Sequence, residues 1–277
     1  MTRDGREIRL KRLLGDSRAV IIAMDHGLFE GPIPGMEELP ATAAKINPLV
    51  DAVLLAPGMV RRCSDLFARS KAPLAVVRLN WNTVYCFKFA YTAAKSVFCY
   101  EPAEALREGM DIALVSLTLQ TGDETRDAEN VEVFSRLTTA CHGLGIPVIG
   151  EYFPTDYAKL SAREFHENIL IGSRIAAELG ADAIKTFRTS DLRAVTRACP
   201  VPLFGLGAEK LPTQLDALRL AQREVEEGAG GVVFGRNAIR VPDPFRFQAA
   251  LCDVVKRGKS AEAACREHGL EDPHASA

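Results

Sequence analysis

The segment ADAIKTF (181–187) is an apolar run interrupted by one lysine, Lys185. Lysine is seldom buried without a partner. Lys185 therefore reads as a snorkelling surface residue, half of an ion pair, or an amine made nucleophilic because burial disfavours its charged form. Other chemistry-bearing residues stand at the ends of similar runs. MDHG (24–27) carries Asp25 and His26, LAVVRLN (74–80) carries Arg78, and PVIGEYF (147–153) carries Glu151 and Tyr152. GLGAEK (205–210) and GRN (235–237) are glycine-rich turns that contain Gly207, Ala208, Gly235 and Arg236. Carboxylates near a lysine suit proton transfer, and glycine-bared N–H groups beside an arginine fork suit a phosphate.

The elements that would position these groups alternate regularly. Strand candidates cover 19–25, 52–57, 74–80, 111–119, 147–153, 181–187, 201–207 and 230–236. Amphipathic helices fit at 125–143, 161–179, 212–227 and 243–257,. Ser161 with Glu164 reads as a capping box, Pro212 as a first-turn proline, and Gly143, Gly180 and Gly228 as helix C-terminal glycines,. The aromatic, irregular stretch 82–100 reads as a loop-and-helix connection. Eight strands with helical crossovers predict an α/β fold, a (β/α)8 TIM barrel spanning 1–258, with 259–277 as a C-terminal extension on the surface or at a subunit contact,. An open doubly wound sheet would carry a glycine fingerprint after its first strand, and MDHGLFEGP is not one,.

Side chains alternate along a strand, and barrel chemistry gathers where the strands end. Lys185 shares parity with Ala183, and Asp25 with Ile21 and Ala23, so both point into the mouth. Asp25 also fits a turn residue, with Gly27 after it,. His26 has the opposite parity and reads as a loop contact. Arg78 shares parity with Asn80, and if buried needs an anion: Asp25, Glu151 or substrate,. Glu151 is inward if Ile149 is, whereas a bulge before Pro154 would present Tyr152, so the general acid/base is one of these two,.

Composition narrows the classes. A net charge of −2 with 25% charged residues gives no reason to expect nucleic acid or an anionic membrane as partner,. No apolar run approaches the ~20 residues of a membrane span, and the charged start MTRDGREIRLKRLLGDSR lacks a signal's apolar core,. Seven scattered cysteines without C-x-x-C read as free, buried thiols in a cytoplasmic protein,. The five histidines lack zinc spacing, so no metal and no cofactor is expected,.

MDHGLFEGPIPGMEEL (24–39), IKT (184–186), ACPVPLFGLGAEKLP (198–212) and GAGGVVFGRN (228–237), in this order, resemble the archaeal-type class I fructose-bisphosphate aldolase family. That family includes 2-amino-3,7-dideoxy-D-threo-hept-6-ulosonate synthases and the thiolase that processes phosphorylated autoinducer-2 breakdown products. The resemblance runs from about Ala19 to Arg257. It implies a Schiff base on Lys185, assistance from Asp25, a phosphate held near Gly207, Ala208, Gly235 and Arg236, and a homo-oligomer, often a decamer. One departure stands out. The aldolases and synthases carry a tyrosine immediately before proline on the fifth strand, followed by arginine and glycine; here Phe153 precedes Pro154, and Thr155 and Asp156 follow. The expected activity is therefore a Schiff-base aldolase on a small phosphorylated ketone of the dihydroxyacetone phosphate type, other than plain fructose-bisphosphate cleavage. Arg188 reads as a contact for a second anionic group, or as a solvated loop arginine. The alternatives are a thiolase-like acyltransferase using coenzyme A and a non-catalytic phosphosugar-binding barrel.

Overall fold

A computed structural model describes residues 4–15 and 18–270. The strands among them are β1 (Ala19–Ala23), β2 (Ala52–Leu55), β3 (Leu74–Arg78), β4 (Asn80–Asn82), β5 (Ser96–Phe98), β6 (Ile112–Leu117), β7 (Val148–Tyr152), β8 (Ala183–Phe187), β9 (Leu203–Leu206) and β10 (Gly231–Phe234). The order β1-β2-β3-β6-β7-β8-β9-β10 closes on itself, every neighbour parallel, with helices crossing between strands. The fold is the expected (β/α)8 barrel.

Strand alternation sorts the core into two compartments. Ile21, Ala23, Leu54, Leu114, Ile149 and Ala183 pack together inside the barrel. Their chain neighbours Ile22, Val53, Val115, Val148 and Ile184 face the helices. The barrel floor is closed by the helix Gly5–Leu14, which Asp4 caps and whose Leu13 joins the inner cluster. Polar groups at the floor would be costly to bury, so the ionisable residues of the interior collect at the opposite, C-terminal ends of the strands.

The long helices form over Glu124–Gly143, Ala162–Glu178, Gln214–Glu226 and Pro244–Arg257. Ser161 and Glu164 make the capping box, and Gly180 and Gly228 follow their helices with φ of 101° and 102°. Two punctuation marks sit elsewhere than expected. Pro212 precedes the helix, because Thr213 takes the cap position and accepts the Asp216 N–H. Gly143 is still helical, and Gly145, with φ 69°, makes the left-handed turn. Cys99 is exposed, unlike the five buried thiols.

The stretch 82–100 carries a short 3-10 turn, Thr83–Tyr85, and a loop, as expected in part, but no α-helix: the loop joins β4 and β5, which pair as an antiparallel ribbon. Buried asparagines explain it. Asn80 Nδ2 donates to Ser96 Oγ at 2.7 Å and to Ser116 O at 2.8 Å, tying the ribbon to β6. Asn130 Nδ2 reaches Ala94 O at 2.8 Å and Thr118 O at 3.0 Å. Asn130 thus satisfies the Ala94 carbonyl, a backbone group that a helix would have paired internally,.

Within the C-terminal segment, helix Ala261–Glu267 packs on the helices Gln214–Glu226 and Pro244–Arg257 through buried Ala261 and Ala264. Residues 271–277 lie outside the described residues. No helix among the described residues is long and apolar enough to cross a membrane.

Candidate active site

Glu151 and Lys185 are register partners on adjacent parallel strands, so their side chains leave the sheet on the same, inner face. Lys185 Nζ lies 2.5 Å from Glu151 Oε1. The other Glu151 oxygen accepts from Arg78 Nη2, and Arg78 Nε donates to Asp25 Oδ2 at 2.6 Å. Asp25 sits two residues beyond β1, and the Met24 N–H still bonds to Leu54 O at 2.8 Å, which carries the strand direction up to it. All four groups are at most 6% exposed. Two cations against two carboxylates make such burial tolerable; any one of them alone would not be.

Electrostatics follow from this neutral square. Burial pushes the Asp25 carboxyl up, but Arg78, Lys185 and His26 outweigh it and hold it at about 2. Burial likewise raises Glu151, and Arg78 and Lys185 bring it below its ordinary value. Burial lowers Arg78, and Glu151 and Asp25 more than reverse that. His26 is pushed down to about 4, chiefly by burial and against the pull of Asp25, with Arg236, Lys185 and Arg78 adding to the fall. Its imidazole is therefore neutral near pH 7.

The square forms one wall of a cavity at the barrel mouth, and Gly207, Ala208, Gly235, Arg236 and His26 form another. Gly235 is required by packing: a Cβ there would stand 2.4 Å from His26 Cε1 and 2.9 Å from Ala23 O. The Gly207 N–H is taken by Val233 O at 3.2 Å, so it serves the barrel and not a ligand. Ala208 holds φ 48°, a conformation that costs a non-glycine residue energy and is common at functional sites. Arg236 Nη2 donates to Ala208 O at 3.1 Å, and its Nε has no partner among the described residues.

Two of the expected residues do not join. Tyr152 points to the helix side, where its ring covers Gly172 and its hydroxyl donates to Asn168 Oδ1 at 2.6 Å. The bulge that would have presented it is absent, since Phe153 N–H continues the ladder to Leu117 O at 3.1 Å. Arg188 pairs with Glu227 and does not line the cavity.

Other residues escaped the sequence reading. Asn237 clips the two glycine turns together: Nδ2 donates to Gly207 O at 2.7 Å and Glu209 O at 2.8 Å, while Oδ1 accepts the Leu211 N–H at 2.8 Å. Phe29 and Tyr85, packed side by side with ring centres 4.7 Å apart, both present their rings to the Arg78 guanidinium, at 5.1 and 4.9 Å. The density of aromatic residues in 82–100 was the available signal for Tyr85. Among the described residues no three His, Cys, Asp or Glu side chains cluster as metal ligands would.

Comparison with known proteins adds an independent line. A family model described as DeoC/LacD family aldolase matches residues 19–240. An uncharacterized aldolase of Saccharolobus solfataricus is 31% identical over 260 residues, covering 91% of this chain and 94% of that protein. The 3-hydroxy-5-phosphonooxypentane-2,4-dione thiolase of Enterobacter sp. strain 638 is 29% identical over 265 residues, covering 94% and 84%. A crystal structure of an archaeal fructose 1,6-bisphosphate aldolase superposes with TM-score 0.75 at 24% identity, covering 90% of this chain and 98% of that one. A second archaeal structure, with its catalytic lysine covalently bound to the carbinolamine intermediate of the substrate, gives TM-score 0.76 at 23% identity, covering 90% and 98%.

Proposed function

The chain belongs to the DeoC/LacD aldolase family, and from that premise we propose that it is a Schiff-base-forming (class I) aldolase acting on a small phosphorylated ketone. The observation that carries the reading is the buried Lys185 amine, 2.5 Å from a carboxylate and facing a cavity at the barrel mouth. The covalently occupied lysine of the archaeal aldolase supports it by likeness.

Glu151 takes one proton of the Lys185 ammonium, the neutral amine attacks the ketone carbon, and a second N–H proton passes to the carbonyl oxygen to give a hydroxyl. The protonated Glu151 then returns that proton to the departing hydroxyl, water leaves, and a positively charged iminium remains. That cation draws in the electron pair of the adjacent carbon–carbon bond as it breaks, giving an enamine, and condensation is the reverse. Asp25, ionised at about 2, fixes Arg78 and balances the iminium charge; it does not deliver a proton. The wall of Ala208, Gly235 and Arg236 holds the phosphate, so the carbonyl is kept near the lysine. The test is incubation with dihydroxyacetone phosphate and borohydride, then intact mass and peptide mapping. A reduced adduct on Lys185 is expected, and folded protein that traps no phosphorylated ketone overturns the proposal.

A second reading is acyl transfer from a phosphorylated diketone to coenzyme A. The thiolase likeness across 94% of the chain and the phenylalanine before Pro154 favour it. Product formation from such a diketone only when coenzyme A is added would select it. A phosphosugar-binding barrel without turnover would require Lys185→Ala to keep ligand binding while no substrate is ever converted.

A further inference from the structure

The buried hydroxyl of Tyr85 makes no hydrogen bond of ordinary geometry among the described residues, although Glu151 and Ser116 lie near enough to interact with it. Leaving such a group unsatisfied costs about 1–3 kcal/mol, and such groups are rare in folded proteins. Loose placement does not explain it. Tyr85 closes the short turn Thr83–Tyr85, whose Thr83 N–H donates to Lys95 O at 3.0 Å and whose Val84 N–H donates to Asn82 Oδ1 at 3.0 Å. Asn82 Nδ2 in turn donates to Thr118 Oγ1 at 3.2 Å, so the turn is bolted to the chain leaving β6. The ring is fixed against Phe29 and Phe153, with centroids 4.7 and 4.5 Å away, and lies over the Arg78 guanidinium.

The ribbon thus delivers a rigid phenol into the same cavity as Lys185 and Glu151. Burial and then the Glu151 carboxylate push its acidity constant well above the ordinary phenol value, so it is a protonated donor near neutral pH. Other phenols are unsuited. Tyr152 has spent its hydroxyl on Asn168 behind the barrel wall, Tyr157 faces Glu209, and Phe153 has no proton to give.

We propose that Tyr85 is a catalytic residue of the carbon–carbon bond step, exchanging its proton with Glu151; this rests on the Schiff-base reading above. In condensation the enamine carbon attacks the aldehyde carbon, and the carbonyl oxygen takes the phenolic proton as its π pair becomes an O–H bond. The phenolate is reprotonated by Glu151, which holds the proton it took from the iminium's α-carbon when the enamine formed. In cleavage the phenol accepts the substrate hydroxyl proton while passing its own to the Glu151 carboxylate.

The experiment compares wild type with Tyr85→Phe, using dihydroxyacetone phosphate with glyceraldehyde 3-phosphate and with glycolaldehyde as acceptors. Three readouts are taken: the rate of borohydride-trapped adduct, kcat and KM for bond formation, and the urea unfolding midpoint. Expected for Tyr85→Phe are an unchanged trapping rate and KM, a kcat lower by about 10²–10⁴-fold, and a midpoint close to wild type, because the hydroxyl makes no hydrogen bond of ordinary geometry. An unchanged kcat overturns the inference, as does a lower midpoint with trapping lost in step, which would mark a structural role. Wild type that traps the ketone but joins neither aldehyde also overturns it, since no bond step remains to be served. Wild type that traps nothing defeats the Schiff-base reading itself, a distinct result.

Discussion

Lys185 Nζ and Glu151 Oε1 lie 2.5 Å apart, and the second oxygen of the same carboxylate is held by Arg78. Glu151 is thus fixed at both oxygens, one on the amine that the proposed mechanism activates and one on the buried Arg78 guanidinium. A carboxylate so tethered cannot swing away when the lysine loses its charge. Its free lone pairs remain aimed at the nitrogen through amine attack, dehydration and release.

Replacing Glu151 by Gln keeps the shape and removes the proton acceptor. We expect the borohydride trapping rate with dihydroxyacetone phosphate to fall by about 10²–10⁴-fold at pH 7. The adduct should still map to Lys185 after long incubation. Equal rates for Glu151→Gln and wild type would mean that another group deprotonates the amine.

Arg78 answers a different question, that of stability. Arg78→Met leaves Asp25 and Glu151 buried beside a single cation, Lys185. Breaking a buried ion pair by removing one partner costs about 3–5 kcal/mol. Urea unfolding at pH 7 should show a loss of that order, and the loss should shrink toward pH 3 as the stranded carboxylates become protonated. A loss under about 1 kcal/mol, the scale of an exposed pair, would indicate that water reaches the square.

Acid stability should fall in two windows. Below pH 6.5 the unfolded chain takes up a proton at His26 that the folded chain refuses until about pH 4, so stability declines as pH drops through that range. Asp25 adds a lower window: its contribution is present above the unfolded value of 3.8 and is lost as pH falls to about 2. For His26 the whole effect is at most about 3 kcal/mol. In His26→Gln the unfolding free energy should be flatter between pH 6.5 and 4 by up to that amount. Parallel pH curves for the two proteins would refute the assignment.

The barrel and its inner face were legible because strand parity is a strict period of two. Ile149 and Glu151 share a face, as do Ala183 and Lys185, so both charged residues could be placed from apolar neighbours alone. The same rule sends Tyr152 to the helices, and the ladder bond from Phe153 leaves no bulge to reverse it. Tyr85 was not legible. Its position depends on Asn80 and Asn130 reaching backbone oxygens, and Asn82 the Thr118 hydroxyl, on other segments, and no local pattern announces a long-range hydrogen bond. Arg188 failed for a similar reason: its partner Glu227 is remote in sequence and adjacent in space.

Gly235 offers the sharpest test of the phosphate wall. An alanine Cβ would stand 2.4 Å from His26 Cε1 and 2.9 Å from Ala23 O, nearer than real contacts allow. The imidazole can swing aside, but the backbone oxygen at the β1 end cannot, so the Gly235 turn must shift as well. Moving it breaks the wall opposite Lys185 without touching the amine. Gly235→Ala should therefore raise KM for dihydroxyacetone phosphate by about 10-fold or more, with kcat at saturation less affected, the pattern of lost binding that is equal in ground and transition states. Gly27→Ala is the matched comparison. It adds a methyl one residue from His26 where nothing lies within 4 Å, in a helical position that favours alanine, and should leave KM unchanged. Equal KM values for the two variants would remove His26 and Gly235 from the phosphate site.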